Sequence, residues 1–307
     1  MAVGRRSWPG GGRGGPRRVS MPQGPSVRRA PRRRPSTGGG RGGGGRSDLP
    51  ARVLAAIPAA AFAIFIVAEG GSIFALGILI LGVVCLHELF ELVADVRPVK
   101  LAGFVGLIAL VAAARFGDQF QLVLVQVALI PVLFALAVSG PQRGRATLAM
   151  AVTLLGVWWV GFALAHAVLL RDLPHGGGIL VDVLVGTFLG DTGAYLGGRS
   201  FGRRPLAPRL SPNKTVEGLA IGMVTAIAAV WFAGLYQDWL SGGDALLLGL
   251  GVALTAPVGD LFESLIKREA RIKDTGRLFG AHGGALDRLD AALFTIVTGY
   301  YVWVALM

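Results

Sequence analysis

An all-α, polytopic membrane helix bundle is the fold class this chain predicts, and three features predict it. Apolar residues fill 53% of its 307 positions while charged ones fill only 16%, and mean hydropathy is +0.62, a balance typical of a chain that lives in lipid. The apolar residues gather into windows of near-span length at 53–68, 72–90, 101–114, 120–138, 148–170, 178–196, 218–237, 245–266 and 289–306, about nine spans in all. Threading those spans in alternation puts 28 Lys and Arg on one side and only 2, Arg115 and Arg171, on the other. Cations collect on the cytoplasmic side, so the N-terminus is expected in the cytoplasm and the C-terminus outside.

Residues 1–50 form the first element and a separate domain, an Arg/Gly-rich cytoplasmic tail. The first 48 residues hold 12 Arg and one acid, and so carry almost all of the chain's net charge of +12. With little apolar side chain to offset ordering entropy, the tail is expected to be disordered, and it lacks the apolar stretch of a signal peptide. Arg-Gly repeats can bind RNA, but no folded nucleic-acid module accompanies these, so nucleic acid is disfavoured against anionic headgroups. Residues 51–307 are expected to form the transmembrane domain. Within it the 101–114 window is short for a bilayer, and the single Cys85 excludes an internal disulfide. His87, Glu88 and Glu91 end the second window and read as interfacial capping groups. Asp182 and His166 read as interhelical polar contacts. Trp158, Trp159, Trp303, Tyr300 and Tyr301 read as packing or interface belt.

The two richest polar loops, 197–217 and 267–288, fall on the same cytoplasmic side. The helix entering the later loop carries Asp260, Glu263, Ser264, Lys267 and Arg268 at i, i+3, i+4, i+7 and i+8, all on one face. Asp287 and Asp290 share a face where the last apolar run begins. A stripe of acids and bases on a membrane helix must point into protein or a wet cavity. Carboxylates beside clustered Lys and Arg suit Mg²⁺ and phosphate groups. In the earlier loop Asp191 and Tyr195 lie i, i+4 at the end of a span. Ser211-Pro-Asn-Lys-Thr-Val-Glu-Gly218 follows, and there Lys214 and Glu217 could pair on a helix face. Lys214-Thr215 lacks the upstream glycines of a P-loop. Gly193, Gly197 and Gly198 suit close helix packing.

The run Ser264-x-x-Lys-Arg-x4-Lys-Asp-x-Gly-x-x-Phe-Gly-x-His-Gly-Gly-x-x-Asp-Arg-x-Asp290 resembles the family motif of phosphatidate cytidylyltransferases. Asp191–Tyr195 and Ser211–Gly218 resemble that family's second shared block. The resemblance is dense over 186–290, continues as helix count through 53–306, and leaves out the tail. It implies a nucleotidyltransferase that moves CMP from CTP to phosphatidic acid, giving CDP-diacylglycerol and pyrophosphate, in the inner membrane with its site facing the cytoplasm. It further implies Mg²⁺ on Asp260 and Asp287, with Asp290 and Asp191 serving a second cation or supporting the first. Lys267, Arg268, Lys273, Lys214 and Arg288 would bind phosphate. Ser211, Asn213, Thr215, Ser264, Tyr195 and Asp274 would contact nucleotide or lipid phosphate. His282 would either orient a phosphate or fix a Gly-Gly turn. Homodimers would be unsurprising in such a family, although no interface can be read from the residues. Two other readings stay open on residues alone: a CTP- or ATP-dependent polyprenol or lipid kinase, and an ion-coupled transporter.

Overall fold

The structure is a computed structural model that describes residues 61–140, 144–270, 272, 275 and 284–307. The chain divides into Met1–Leu49, which lies outside the described residues, and Pro50–Met307, the helical unit. Helix is present at each of the expected windows. It runs as α1 (61–69), α2 (Gly71–Leu92), α3 (Lys100–Phe116), α4 (Gln119–Ser139) and α5 (Ala146–Asp172). After these come α6 (Gly176–Phe201), the strands β1 (Pro205–Ala207) and β2 (Ser211–Thr215), then α7 (Val216–Gly234), α8 (Gly242–Glu269) and α9 (Leu286–Leu306). Among the described residues seven helices, α2 and α4 to α9, are long and apolar enough to cross a membrane, and the first expected window lies partly outside them. Helix α3 has 17 residues, or roughly 26 Å at 1.5 Å per residue, which is short of a ~30 Å hydrocarbon core.

Local chemistry sets the breaks. Asp118 starts α4 through a capping box, accepting from Phe120 N at 2.7 Å while Gln121 Oε1 accepts from Asp118 N at 2.8 Å. Ser241 Oγ caps α8 by accepting from Asp244 N at 3.1 Å. Between α1 and α2 the chain turns at Gly70, whose φ is 68°. A Cβ there would stand 2.6 Å from the Arg171 guanidinium, so the turn needs glycine twice over. Helix α5 loosens into a π turn over Val157–Phe162. This turn carries Trp159 edge-on to Phe262 of α8 at 4.8 Å, and Phe262 in turn meets Phe294 of α9 at 5.5 Å.

Polar contacts sort the helix ends into two sets. At one end Arg171 Nε donates to Val67 O at 2.6 Å, and Arg115 reaches Ser72 Oγ at 3.3 Å and Asp172 at 3.6 Å. At the other end Lys100 pairs with Glu91, Arg268 Nε donates to Leu210 O at 3.0 Å, and Glu88 meets the start of α9. The interhelical roles expected for Asp182 and His166 are present as well. Asp182 accepts from Gln237 Nε2 at 3.0 Å, and His166 Nε2 lies 3.2 Å from the Tyr301 hydroxyl. Trp303 packs inside, its Nε1 donating to Pro174 O at 2.9 Å.

Helices α6, α7 and α8 form the half of the bundle that carries most of the polar residues. With lipid as the alternative neighbour, close van der Waals contact has to hold such helices together. A Cβ on Gly193 would lie 2.4 Å from Thr225 Oγ1, and one on Gly222 would lie 2.7 Å from Ala194 Cβ. The glycines read as packing residues do pack, and they bring two backbones together beneath the hairpin.

Candidate active site

The loop expected to present Lys214 is an antiparallel hairpin, with Pro205 opposite Thr215 and Ala207 opposite Ser211. Three anchors hold it. Thr215 Oγ1 caps α7 by accepting from Gly218 N at 3.1 Å. Arg268, from α8, donates to Leu210 O in the turn. Glu217 accepts from Arg203 N at 3.0 Å, Arg204 N at 3.1 Å and Arg204 Nε at 2.9 Å. The expected Lys214–Glu217 pair is therefore replaced. Lys214 lies on a strand, where the helical i, i+3 relation does not exist, and its ammonium pairs with Asp260 of α8.

Behind Lys214 opens a cleft of about 610 Å³ between α6, α7, α8 and the hairpin. Asp191, Tyr195, Ser211, Asn213, Lys214, Thr215 and Asp260 all border it, so seven site residues expected from the sequence share one cavity. Its deeper wall is small and apolar, with Gly190, Gly222, Ala226, Ala253 and Ala256. Pro257 lines it too, and by lacking an N–H it cannot bond the Ala253 carbonyl one turn earlier in α8. Tyr195 stands at the mouth, 64% exposed.

Carboxylates continue from this cleft across α8 to α9. Asp191 faces Asp260 and Lys214. Asp290, buried on α9, faces Asp260 and Glu263. Glu263, 2% exposed, holds Lys267 at 2.7 Å, and Lys267 reaches Asp287 Oδ1 at 3.1 Å. Asp287 also accepts from Thr275 N at 3.1 and 3.0 Å and from Gly284 N at 2.8 Å. Asp260 and Asp287 are thus two poles of one acidic chain, each with its own lysine. Asp260 borders the cleft, while Asp287 gathers the backbone of the loop before α9. Ser264 is half-buried on α8, and Arg288 is exposed on the first turn of α9. Lys273, Asp274 and His282 lie outside the described residues.

Among the described residues no group of three or more His, Cys, Asp or Glu side chains forms a ready metal site. The donor set nevertheless suits Mg²⁺ in kind, because every candidate ligand is a hard carboxylate oxygen. In addition, Glu263 Oε1 is buried without a hydrogen-bond partner, and a buried acceptor of that sort calls for a donor or a cation. Glu263 is the site residue the sequence reading undervalued. It stands on the Asp260 stripe, so its spacing was visible, but its contact with Asp287 required the fold. Glu88 was read correctly as a capping group, yet its partner lies 197 residues away.

An apolar-walled cleft that ends in carboxylates and an ammonium group, in a bundle whose described residues include seven helices apolar enough to cross a membrane, marks a multi-pass membrane protein. The chain belongs to the cytidylyltransferase family, whose model matches residues 50–306. It is 31% identical over 263 residues to the phosphatidate cytidylyltransferase of Bacillus subtilis (strain 168), a match covering 83% of this chain and 97% of that protein. It is 45% identical over 117 residues to the Helicobacter pylori (strain ATCC 700392 / 26695) protein of the same name, covering 38% of this chain and 43% of that one. Over 145 residues it is 41% identical to the uncharacterized protein YnbB of Escherichia coli (strain K12), covering 46% and 49%. The chain therefore spans nearly the whole of the first relative and about half or less of the other two.

Proposed function

We propose that the protein is a phosphatidate cytidylyltransferase of the bacterial inner membrane, with its site facing the cytoplasm. The observation that carries this reading is the cleft at Lys214 and Asp260, where two sequence blocks meet at one end of the bundle. Near-complete coverage of the Bacillus subtilis relative supports it. In the reaction a phosphate oxygen of phosphatidic acid bonds to the α-phosphorus of CTP, the α–β bridging P–O bond breaks, and pyrophosphate leaves. Two anions must approach each other, so electrostatic stabilisation and positioning supply the catalysis.

Lys214, Ser211, Asn213 and Thr215 would bind phosphate oxygens along the hairpin, while Lys267 and Arg288 would do so at the start of α9. The small apolar wall would let the lipid's glycerol end approach from the bilayer. Asp260, Asp287, Glu263 and Asp290 would hold Mg²⁺, with Asp191 available to a second cation. When bound, the ion neutralises triphosphate charge and stabilises the leaving pyrophosphate. Purified protein given phosphatidic acid, Mg²⁺ and CTP labelled at the α-phosphate should place label in lipid. Label entering lipid only from the γ position would mean a kinase and overturn the reading.

A further inference from the structure

We propose that Glu88, on α2 and outside both sequence blocks, is a positioning residue for Asp287. This rests on the reading of Asp287 as part of the transferase site. Helix α9 begins after Ala285, which has no side chain able to cap it, so the first N–H groups need acceptors from elsewhere. Two carboxylates provide them. Glu88 Oε1 accepts from Ala285 N at 3.1 Å and Oε2 from Leu286 N at 2.9 Å, while Asp287 takes Gly284 N. Glu88 is 7% exposed, and a buried carboxylate remains charged only where donors surround it. The positive end of α9 supplies such donors.

The fit is close. A Cβ on Gly284 would stand 2.3 Å from Glu88 Oε2 and 2.6 Å from Thr275 Oγ1. Glu88 therefore fixes where the loop ends and the helix starts, one residue before Asp287 and four before Asp290. Gln in its place offers one acceptor oxygen and turns an NH₂ toward a backbone N–H. One buried donor then loses its partner, and the first turn must shift away.

The test compares Glu88→Gln with Thr153→Val. Thr153 accepts from Val99 N at 2.9 Å in a buried cap at the start of α3, so its loss is a stability control. Glu88→Gln should lower kcat at least tenfold. Amide exchange should rise selectively in the peptide covering 284–290. Thr153→Val should lower the thermal midpoint comparably and keep kcat within twofold. Should Glu88→Gln fail to accumulate, Gly284→Ala presses on the same contact and should show the same split. Wild-type kcat in Glu88→Gln, or loss of kcat in step with the midpoint in both variants, would overturn the proposal. If the wild type transfers nothing from CTP, the functional reading fails by itself, and exchange decides the positioning. Loosening confined to 284–290 upholds it, and uniform loosening refutes it.

Discussion

Replacing Asp287 and Asp260 by Asn, one at a time, should give two different kinds of damage. Asp287 accepts two backbone N–H groups and the Lys267 ammonium. Asn keeps one acceptor oxygen and presents an NH₂ to one of those donors. Losing one hydrogen bond to a charged acceptor costs about 1.5–3 kcal/mol, and the orphaned donor is part-buried, so the low end applies, about 1.5–2 kcal/mol. For a chain of this size that is a fall of about 3–8 °C in thermal midpoint. Asp260 borders the cleft with its side chain 27% exposed, paired with Lys214 and with Asp290 beside it, so Asp260→Asn should leave the midpoint within about 1–2 °C, in line with a small partly exposed pair. Both should lower transfer from α-labelled CTP by at least ~10³-fold, and the double variant should lower it little further, because residues acting as a unit are not additive. Thermal unfolding in detergent and single-turnover transfer measure the two effects separately. Equal midpoints for the two variants would refute the division of labour along the acidic chain, and near-normal transfer by Asp287→Asn across a Mg²⁺ titration would refute its place in the site.

Lys214→Met, which removes the ammonium from the cleft, should reduce kcat/KM for CTP by about 10²–10³-fold, the usual loss for one electrostatic donor, with folding intact by circular dichroism. Gly222→Leu forces a side chain against Ala194, where even a Cβ has only 2.7 Å; the thermal midpoint should drop as overpacking of about 1–3 kcal/mol predicts, and an unchanged midpoint would count against the α6–α7 seam. A topology reporter fused after Asp238 should read outside and one after Gly202 inside, both reading inside being the result that breaks the alternation. Deleting residues 1–48 should leave the rate on detergent-dispersed substrate within a few-fold, and loss of most activity by a folded truncate would join the tail to the site.

Much of this arrangement is legible before folding because a membrane makes polar residues conspicuous. The stripe from Asp260 to Arg268 stands out against apolar sequence, and its period alone places Lys267 on the face that meets α9. The same argument could not find the hairpin. Ser211–Thr215 is too short and too polar for a period to show, so spacing leaves a Lys214–Glu217 helix pair open and gives no sign of a strand facing Asp260. Nor could spacing divide the roles of Asp287 and Asp260, since both are carboxylates at helix ends. The difference is which backbone N–H groups lie within reach, and that depends on where Thr275 and Gly284 come to lie beside Asp287. The Glu88 contact follows the same rule, because a cap supplied from another helix leaves no local trace.

The two arginines at the far end of the bundle bear on how the protein sits in an energised membrane. Arg171 is bound to the Val67 and Ala68 carbonyls, and Arg115 lies against Asp172, so among the described residues these two cations are held by acceptors of the bundle itself. In the proposed orientation nearly all the remaining positive charge lies on the cytoplasmic side, where the resting potential is negative. Each elementary charge carried across such a membrane is worth about 2.3 kcal/mol per 100 mV. Inverting the folded bundle would have to carry the surplus outward against the field, so the potential acts as a standing lock on the orientation, and one that loosens when the membrane is depolarised.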